Sequence, residues 1–149
     1  MGTLQVLGFR LGDQFYGFDV SNVYEVSRMV AVTELPDSPP EVLGVVNYRG
    51  NIIPVVDLRL RFGLAPRESG LNTPIIIAWS GEYACGLVVD EVSEVLSLEP
   101  GAVMSPEAFG QAAHHIAGVA RLDDGLLLIV NPADIVTEET VRQVADAKD

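Results

Sequence analysis

The sequence predicts a mainly β protein of two small five-stranded barrels, with short helical turns and a C-terminal helix. Two observations carry this. Short apolar runs recur at regular spacing with Gly, Asp, Asn and Ser between them, the pattern of strands joined by tight turns. The two halves also echo each other. Gly17-Phe18-Asp19-Val20-Ser21-Asn22-Val23-Tyr24-Glu25-Val26 lines up with Gly86-Leu87-Val88-Val89-Asp90-Glu91-Val92-Ser93-Glu94-Val95, both reading G-x-x-V-x-x-V-x-E-V. A weaker echo sets Gly44-Val45, a turn and residues 52–57 against Gly118-Val119, the turn Asp123-Asp124-Gly125 and residues 126–131. Echoes in the same order, offset by about half the chain, indicate two copies of one supersecondary unit.

In chain order, residues 4–11 and 15–20 are strands around the turn Gly12-Asp13-Gln14, and 23–29 is a third. Val20, Val23 and Val26 recur at helical spacing, so a helical turn is expected where the chain enters that strand. Pro39-Pro40 suits a first helical position and predicts one helical turn. Residues 44–47 and 52–56 form a hairpin across Tyr48-Arg49-Gly50-Asn51, where Gly50 supplies the positive φ of a tight turn. Pro54 cannot donate to a ladder, so its strand needs a free side or a bulge there. Asp57 stands where it caps a turn over 58–62 that Gly63 ends. Residues 65–72 read as the link between halves. In the second half, 74–79 and 83–89 flank Ser80-Gly81-Glu82, 92–98 follows, and the 118–131 hairpin completes the unit. Residues 100–115 read as a loop of mixed composition. Thr137 offers an N-cap for a terminal helix over 137–147. The chain is thus one domain over 1–149, with intertwined subdomains at about 1–68 and 69–136.

Residues 47–63 read N-x-R-G-x-x-x-P-V-x-D-L-R-x-x-F-G. On that run the chain resembles the CheW-like family, adaptors that couple chemoreceptors to the histidine kinase CheA in bacterial chemotaxis. The resemblance extends over about 4–136. It implies two five-stranded, SH3-like barrels packed together, in agreement with the strand pattern. One position departs: Tyr48 stands where the family usually has Leu.

Composition narrows the function classes. The 149 residues include 21 acidic and 9 basic, for a net charge of −12, and 48% are hydrophobic, enough for a core. Nucleic acid and anionic membrane surfaces are poor partners for such a chain, since both require a basic face. Cys85 is the only cysteine, so no intrachain disulfide forms, and its apolar setting reads as a buried small hydrophobe. There is no signal-peptide pattern and no apolar run of membrane-spanning length, which predicts a cytoplasmic protein.

Nothing in the sequence assembles a catalytic centre. His114 and His115 are the only histidines, are adjacent, and have no third ligand at metal spacing. Asp90-Glu91 and Asp123-Asp124 read as solvated caps. Ser21, Ser93 and Ser105 lack a nucleophile-elbow setting, and the glycines form no phosphate loop. The expectation is a non-enzyme without cofactor or metal, working by contact.

The contact surface is expected where Val20, Val23 and Val26 meet the Gly44 hairpin. Glu25 and Arg49 each stand in an apolar stretch and carry opposite charges. The resemblance implies that Val23, Glu25, Gly44 and Arg49 contact a receptor's helical hairpin tip. It implies kinase regulatory-domain contacts at Ile52, Ile53, Val92, Val95 and Phe109. The hydroxyl of Tyr48 beside Arg49 would alter receptor preference. The expected function is a cytoplasmic scaffold recruited to membrane receptor arrays. Beside an enzyme using His114 and His115, which a metal-induced thermal shift would test, two other readings stand. One is a paralogue serving a pilus or second-messenger pathway. The other is a barrel pair that senses a small ligand, against which the apolar filling of the strands argues.

Overall fold

The computed structural model of the chain describes residues 3–28, 31–67, 70, 72–105, 107 and 116–136. The first hairpin joins β1 (Leu4–Leu11) to β2 (Gln14–Asp19). A 3-10 turn at Val20–Asn22 follows, where the Asp19 carboxylate accepts from the Ser21 N–H at 2.9 Å, and β3 (Val23–Arg28) begins. This is the helical turn that the Val20–Val23 spacing predicts. The next hairpin is β4 (Val42–Tyr48) and β5 (Asn51–Asp57), ending in α1 (Leu58–Arg61). The second half supplies β6 (Pro74–Ser80), β7 (Tyr83–Val88), β8 (Glu91–Leu98), β9 (Val103–Met104), β10 (Ile116–Leu122), β11 (Gly125–Val130) and α2 (Pro132–Ile135).

The strands form two sheets, one six-stranded in the order β8-β1-β2-β11-β10-β9 and one five-stranded in the order β3-β6-β7-β5-β4. The internal echo is visible in the pairing. β1-β2 and β6-β7 are matching hairpins, and Gly17 and Gly86 both sit at a parallel junction, opposite Ile129 and Val55. The third strand of each half leaves its own half: β3 pairs with β6, and β8 pairs with β1. The mainly β content therefore matches the expectation, with β9 a sixth strand in a stretch that reads as a loop, while closure does not appear. Because the third strands are exchanged, neither sheet returns on itself through its strand pairs, and β8, β9, β3 and β4 are edges.

The central strands are buried on both faces, which is why residues 75–78 read as a continuous apolar run rather than an alternating one, while the edge strands β3 and β8 are largely exposed. Phe9, Phe18, Ile76 and Leu87 fill the layer between the sheets. The five-stranded sheet wraps its other face around Val46, Ile53, Val55, Ile75, Ile77 and Val88. The six-stranded sheet does the same around Val6, Leu98, Ala120, Leu127 and Ile129. Among the described residues no helix is long and apolar enough to cross a membrane.

Several local expectations have a structural outcome. Asp57 caps α1 by accepting from the Arg59 N–H at 2.9 Å, and Gly63 follows with φ 78°. Pro54 lies in an interior strand, yet its missing donor is harmless. Val45, opposite it, turns its N–H and C=O to Thr33, and the parallel ladder with β7 begins one residue later at Val55. Pro39-Pro40 forms a reverse turn closed by the Val42 N–H on the Pro39 carbonyl at 3.0 Å, with no helix, because Val42 already belongs to β4. α2 went unread in the sequence, although it repeats α1: Asn131 accepts from the Ala133 N–H at 3.0 Å as Asp57 does from Arg59. The expected helix at 137–147 lies outside the described residues.

Cys85 is fully buried in the layer between the sheets, and burial pushes its thiol up to about 12 from an ordinary 9.0. Below pH 9 the thiol is protonated in both folded and unfolded chains and adds no pH dependence. Above it the unfolded chain ionises while the folded one resists, so stability falls with rising pH between about 9 and 12. Burial raises the Tyr16 phenol in the same sense. Urea denaturation from pH 7 to 11 is expected to show this decline, and Cys85→Ala to show a shallower one. Equal slopes would remove Cys85 as the cause.

Candidate functional site

The tip of the β4–β5 hairpin is a two-residue turn in which both central residues have positive φ, Arg49 at 52° and Gly50 at 87°. That is the primed turn whose twist matches paired strands. Asn47 steadies it, its Oδ1 accepting from the Gly50 N–H at 2.9 Å. Gly50 was expected here; a left-handed arginine was not. Holding a Cβ-bearing residue in that conformation costs about 1–2 kcal/mol. Strain of this kind persists where surrounding structure or function maintains it.

Arg49 reaches across to β3. A bulge between Val23 and Glu25 sets Glu25 opposite Ile77 of β6. The Arg49 Nη2 then lies 3.0 Å from the Glu25 Oε1, with the two side chains 62% and 33% exposed. At that exposure the pair contributes only about 0–1 kcal/mol to stability, so its consequence is orientation. The guanidinium is held over two aromatic rings, 5.4 Å from the Tyr48 centroid and 5.7 Å from that of Tyr24. Tyr24 in turn meets Tyr48 edge-on at 5.9 Å and Trp79 edge-on at 5.7 Å. These are the separations at which aromatic pairs attract.

Arg49, Tyr24, Tyr48 and Trp79 rim a groove of about 420 Å³ on the five-stranded sheet. Ile53 and Ile77, both buried, form its floor. Tyr24 is 50% exposed, Ile52 38% and Trp79 36%, so three large apolar side chains face solvent at one place. Such a cluster beside an ion pair has the make-up of a contact surface.

The structure joins Glu25 and Arg49, as their charges suggested. Val23 is half-buried against the layer between the sheets. Gly44 is buried with φ 149°, and a Cβ there would lie 2.2 Å from the Thr33 carbonyl oxygen, so Gly44 shapes β4. Ile52 stands on the rim and Ile53 in the floor. Val92 is half-buried on the intersheet layer, and Val95 is 51% exposed on β8, an edge of the other sheet. Phe109, His114 and His115 lie outside the described residues. The groove therefore unites Arg49 with Ile52 and Ile53, while Val92 and Val95 belong to a separate face.

Tyr24 and Trp79 were missed by the sequence reading. A period of two along β6 places Trp79 on the face of Ile75 and Ile77. The chain's only tryptophan, at the strand end beyond that buried pair, is the signal that marks a rim.

Comparison with known proteins agrees with this architecture. The family model described as CheW-like domain matches residues 5–140. The chemotaxis protein CheW of Klebsiella aerogenes is 33% identical over 142 residues, covering 94% of this chain and 86% of its own. The chemotaxis protein CheW of Helicobacter pylori is 28% identical over 138 residues, covering 92% and 84%. The crystal structure of the scaffolding protein TtCheW from Thermoanaerobacter tengcongensis has a TM-score of 0.83 at 30% identity, over 94% of this chain and 96% of that one. The chain belongs to the CheW-like domain family.

Proposed function

We propose that this protein is a non-catalytic coupling adaptor in chemotaxis signal transduction, bridging chemoreceptor hairpin tips and a CheA-type histidine kinase. The observation that carries the reading is the strained Arg49, paired with Glu25 over an aromatic groove. A surface that keeps backbone strain, exposed aromatics and an oriented ion pair together is arranged for a partner. Glu25 and Arg49 contact the receptor helices, with Val23 and Gly44 fixing the strands that present them. Ile52 and Ile53, next along the same hairpin, and Val92, Val95 and Phe109 in the second half contact the kinase regulatory domain. The two sheets serve as the walls of two small SH3-like barrels, one for each kinase contact. The protein works in the cytoplasm at membrane receptor arrays and holds no cofactor. It transmits signal because receptor and kinase states bind it with different affinity.

The test is a titration of a receptor cytoplasmic fragment and, separately, of a kinase regulatory domain. Arg49→Asn is the informative variant. It gives the hairpin the Asn-Gly pair that primed turns favour, so the fold is kept or strengthened. It is expected to weaken receptor binding about 30-fold while kinase binding by the second-half surface persists. Phe109→Ala is expected to weaken the kinase alone. A folded wild type that binds neither partner from its own genome ends the adaptor reading.

A further inference from the structure

Tyr48 carries a polar group that the fold leaves unanswered. Its ring packs on the small cluster of the five-stranded sheet and lines the groove. Its hydroxyl is buried and meets no hydrogen-bond partner among the described residues. Buried phenol hydroxyls ordinarily have a partner, and one left unpaired destabilises the fold. Phe or Leu would fill the same space without that loss. The orphaned group also stands at the point where the backbone is already strained, one residue before Arg49.

The surroundings define what would answer it. The Arg49 guanidinium lies over the Tyr48 ring and its side chain is 62% exposed, so it has room to move aside when a partner docks. Tyr24 and Trp79 offer an exposed apolar seat alongside. The charge of Arg49 is already met by Glu25, and the chain as a whole is at −12. A neutral oxygen therefore fits the site better than a carboxylate, which the acidic surface would repel.

We propose that Tyr48 sets which receptor helices this chain accepts, by donating its hydroxyl to an Asn or Gln amide oxygen on the docked helix. A large apolar side chain of that helix, three or four residues away, seats against Tyr24 and Trp79. That spacing places both side chains on one helix face. The inference rests on the receptor-binding reading above and adds the chemistry of the partner.

The experiment compares wild type, Tyr48→Phe and Tyr48→Leu by thermal melting and by titration with a cytoplasmic hairpin fragment of a receptor from the same genome. Tyr48→Phe removes the oxygen and keeps the ring. It is expected to melt a few degrees higher, since an unpaired buried hydroxyl is gone, and to bind the fragment roughly tenfold more weakly. Tyr48→Leu is expected to bind it at least as weakly. A lower melting temperature for Tyr48→Phe would show that the hydroxyl already has a partner within the fold, and overturns the proposal. Unchanged binding by Tyr48→Phe overturns it while leaving the adaptor reading intact. A loss confined to the kinase regulatory domain assigns the groove to the kinase and overturns it too. Failure of wild type to bind any receptor fragment removes both.

Discussion

Gly44→Ala is expected to lower the free energy of unfolding by about 3 kcal/mol or more. Two independent terms add. The backbone at Gly44 has φ 149°, a conformation that side chains with a Cβ rarely adopt. The new Cβ would also lie 2.2 Å from the Thr33 carbonyl oxygen and 2.8 Å from both the Thr33 carbonyl carbon and Val32 Cγ1. The first neighbour is backbone, and it cannot swing away, because Thr33 and Val45 exchange two hydrogen bonds of 2.9 Å. Relief would require moving residues 31–35 off β4, and β4 carries the hairpin tip with Arg49. Urea denaturation measures the loss. The consequence for function is specific: under the proposed receptor reading, a Gly44 substitution is expected to weaken receptor binding by displacing the hairpin. If Gly44→Ala proves as stable as wild type and still fails to bind, Gly44 is itself a contact and the steric account is wrong.

Asp90→Ala is expected to cost about 3 kcal/mol, through a junction far from the groove. The Asp90 side chain is only 5% exposed and is held by three groups. It accepts from the Gly12 N–H at 2.7 Å, pairs with the Arg59 Nε at 3.0 Å, and lies 3.3 Å from the Arg67 Nη1. Gly12 is the β1–β2 turn of one sheet, while Arg59 is on α1, which follows β5 of the other. One carboxylate thus ties the two sheets together. Removing it leaves the Arg59 guanidinium, itself largely buried, without its anion and a backbone N–H without its acceptor. Arg67 is mostly exposed and adds little. Asp90→Asn keeps an acceptor for Gly12 and loses the ion pair, so it should fall between wild type and Asp90→Ala. A loss below about 0.5 kcal/mol for Asp90→Ala would show that the sheets hold together by apolar packing alone.

These two residues mark where sequence reading stops. Gly44 reads in the sequence as the start of a strand, which the structure begins two residues earlier at Val42, and the family resemblance implies a receptor contact there. That its missing Cβ makes room for Thr33 was not legible, since the two meet only after residues 31–35 fold back. Asp90 read as a solvated cap beside Glu91. Its burial follows from a turn 78 residues earlier and an arginine 31 residues earlier, separations that no local pattern reports. α2 was closer to the surface of the sequence: the echo of 52–57 in 126–131 ends on Asn131, in the place of Asp57, and carrying it two residues further would have predicted the cap.

The sequence by itself determined the succession of strands along the chain, the tight turns, the capped end of β5, the echo between halves and the opposite charges of Glu25 and Arg49. These depend on side-chain chemistry and on neighbours a few residues away, which is the range over which period and propensity act. Only the tertiary structure decided that the third strands are exchanged between halves and that neither sheet closes. It alone placed Tyr24, Tyr48 and Trp79 in one groove under Arg49. Those outcomes rest on pairing between distant edges and on the layer buried between the sheets. A local sequence of alternating apolar residues says that a strand exists, but its edge carries no record of which other edge it will meet.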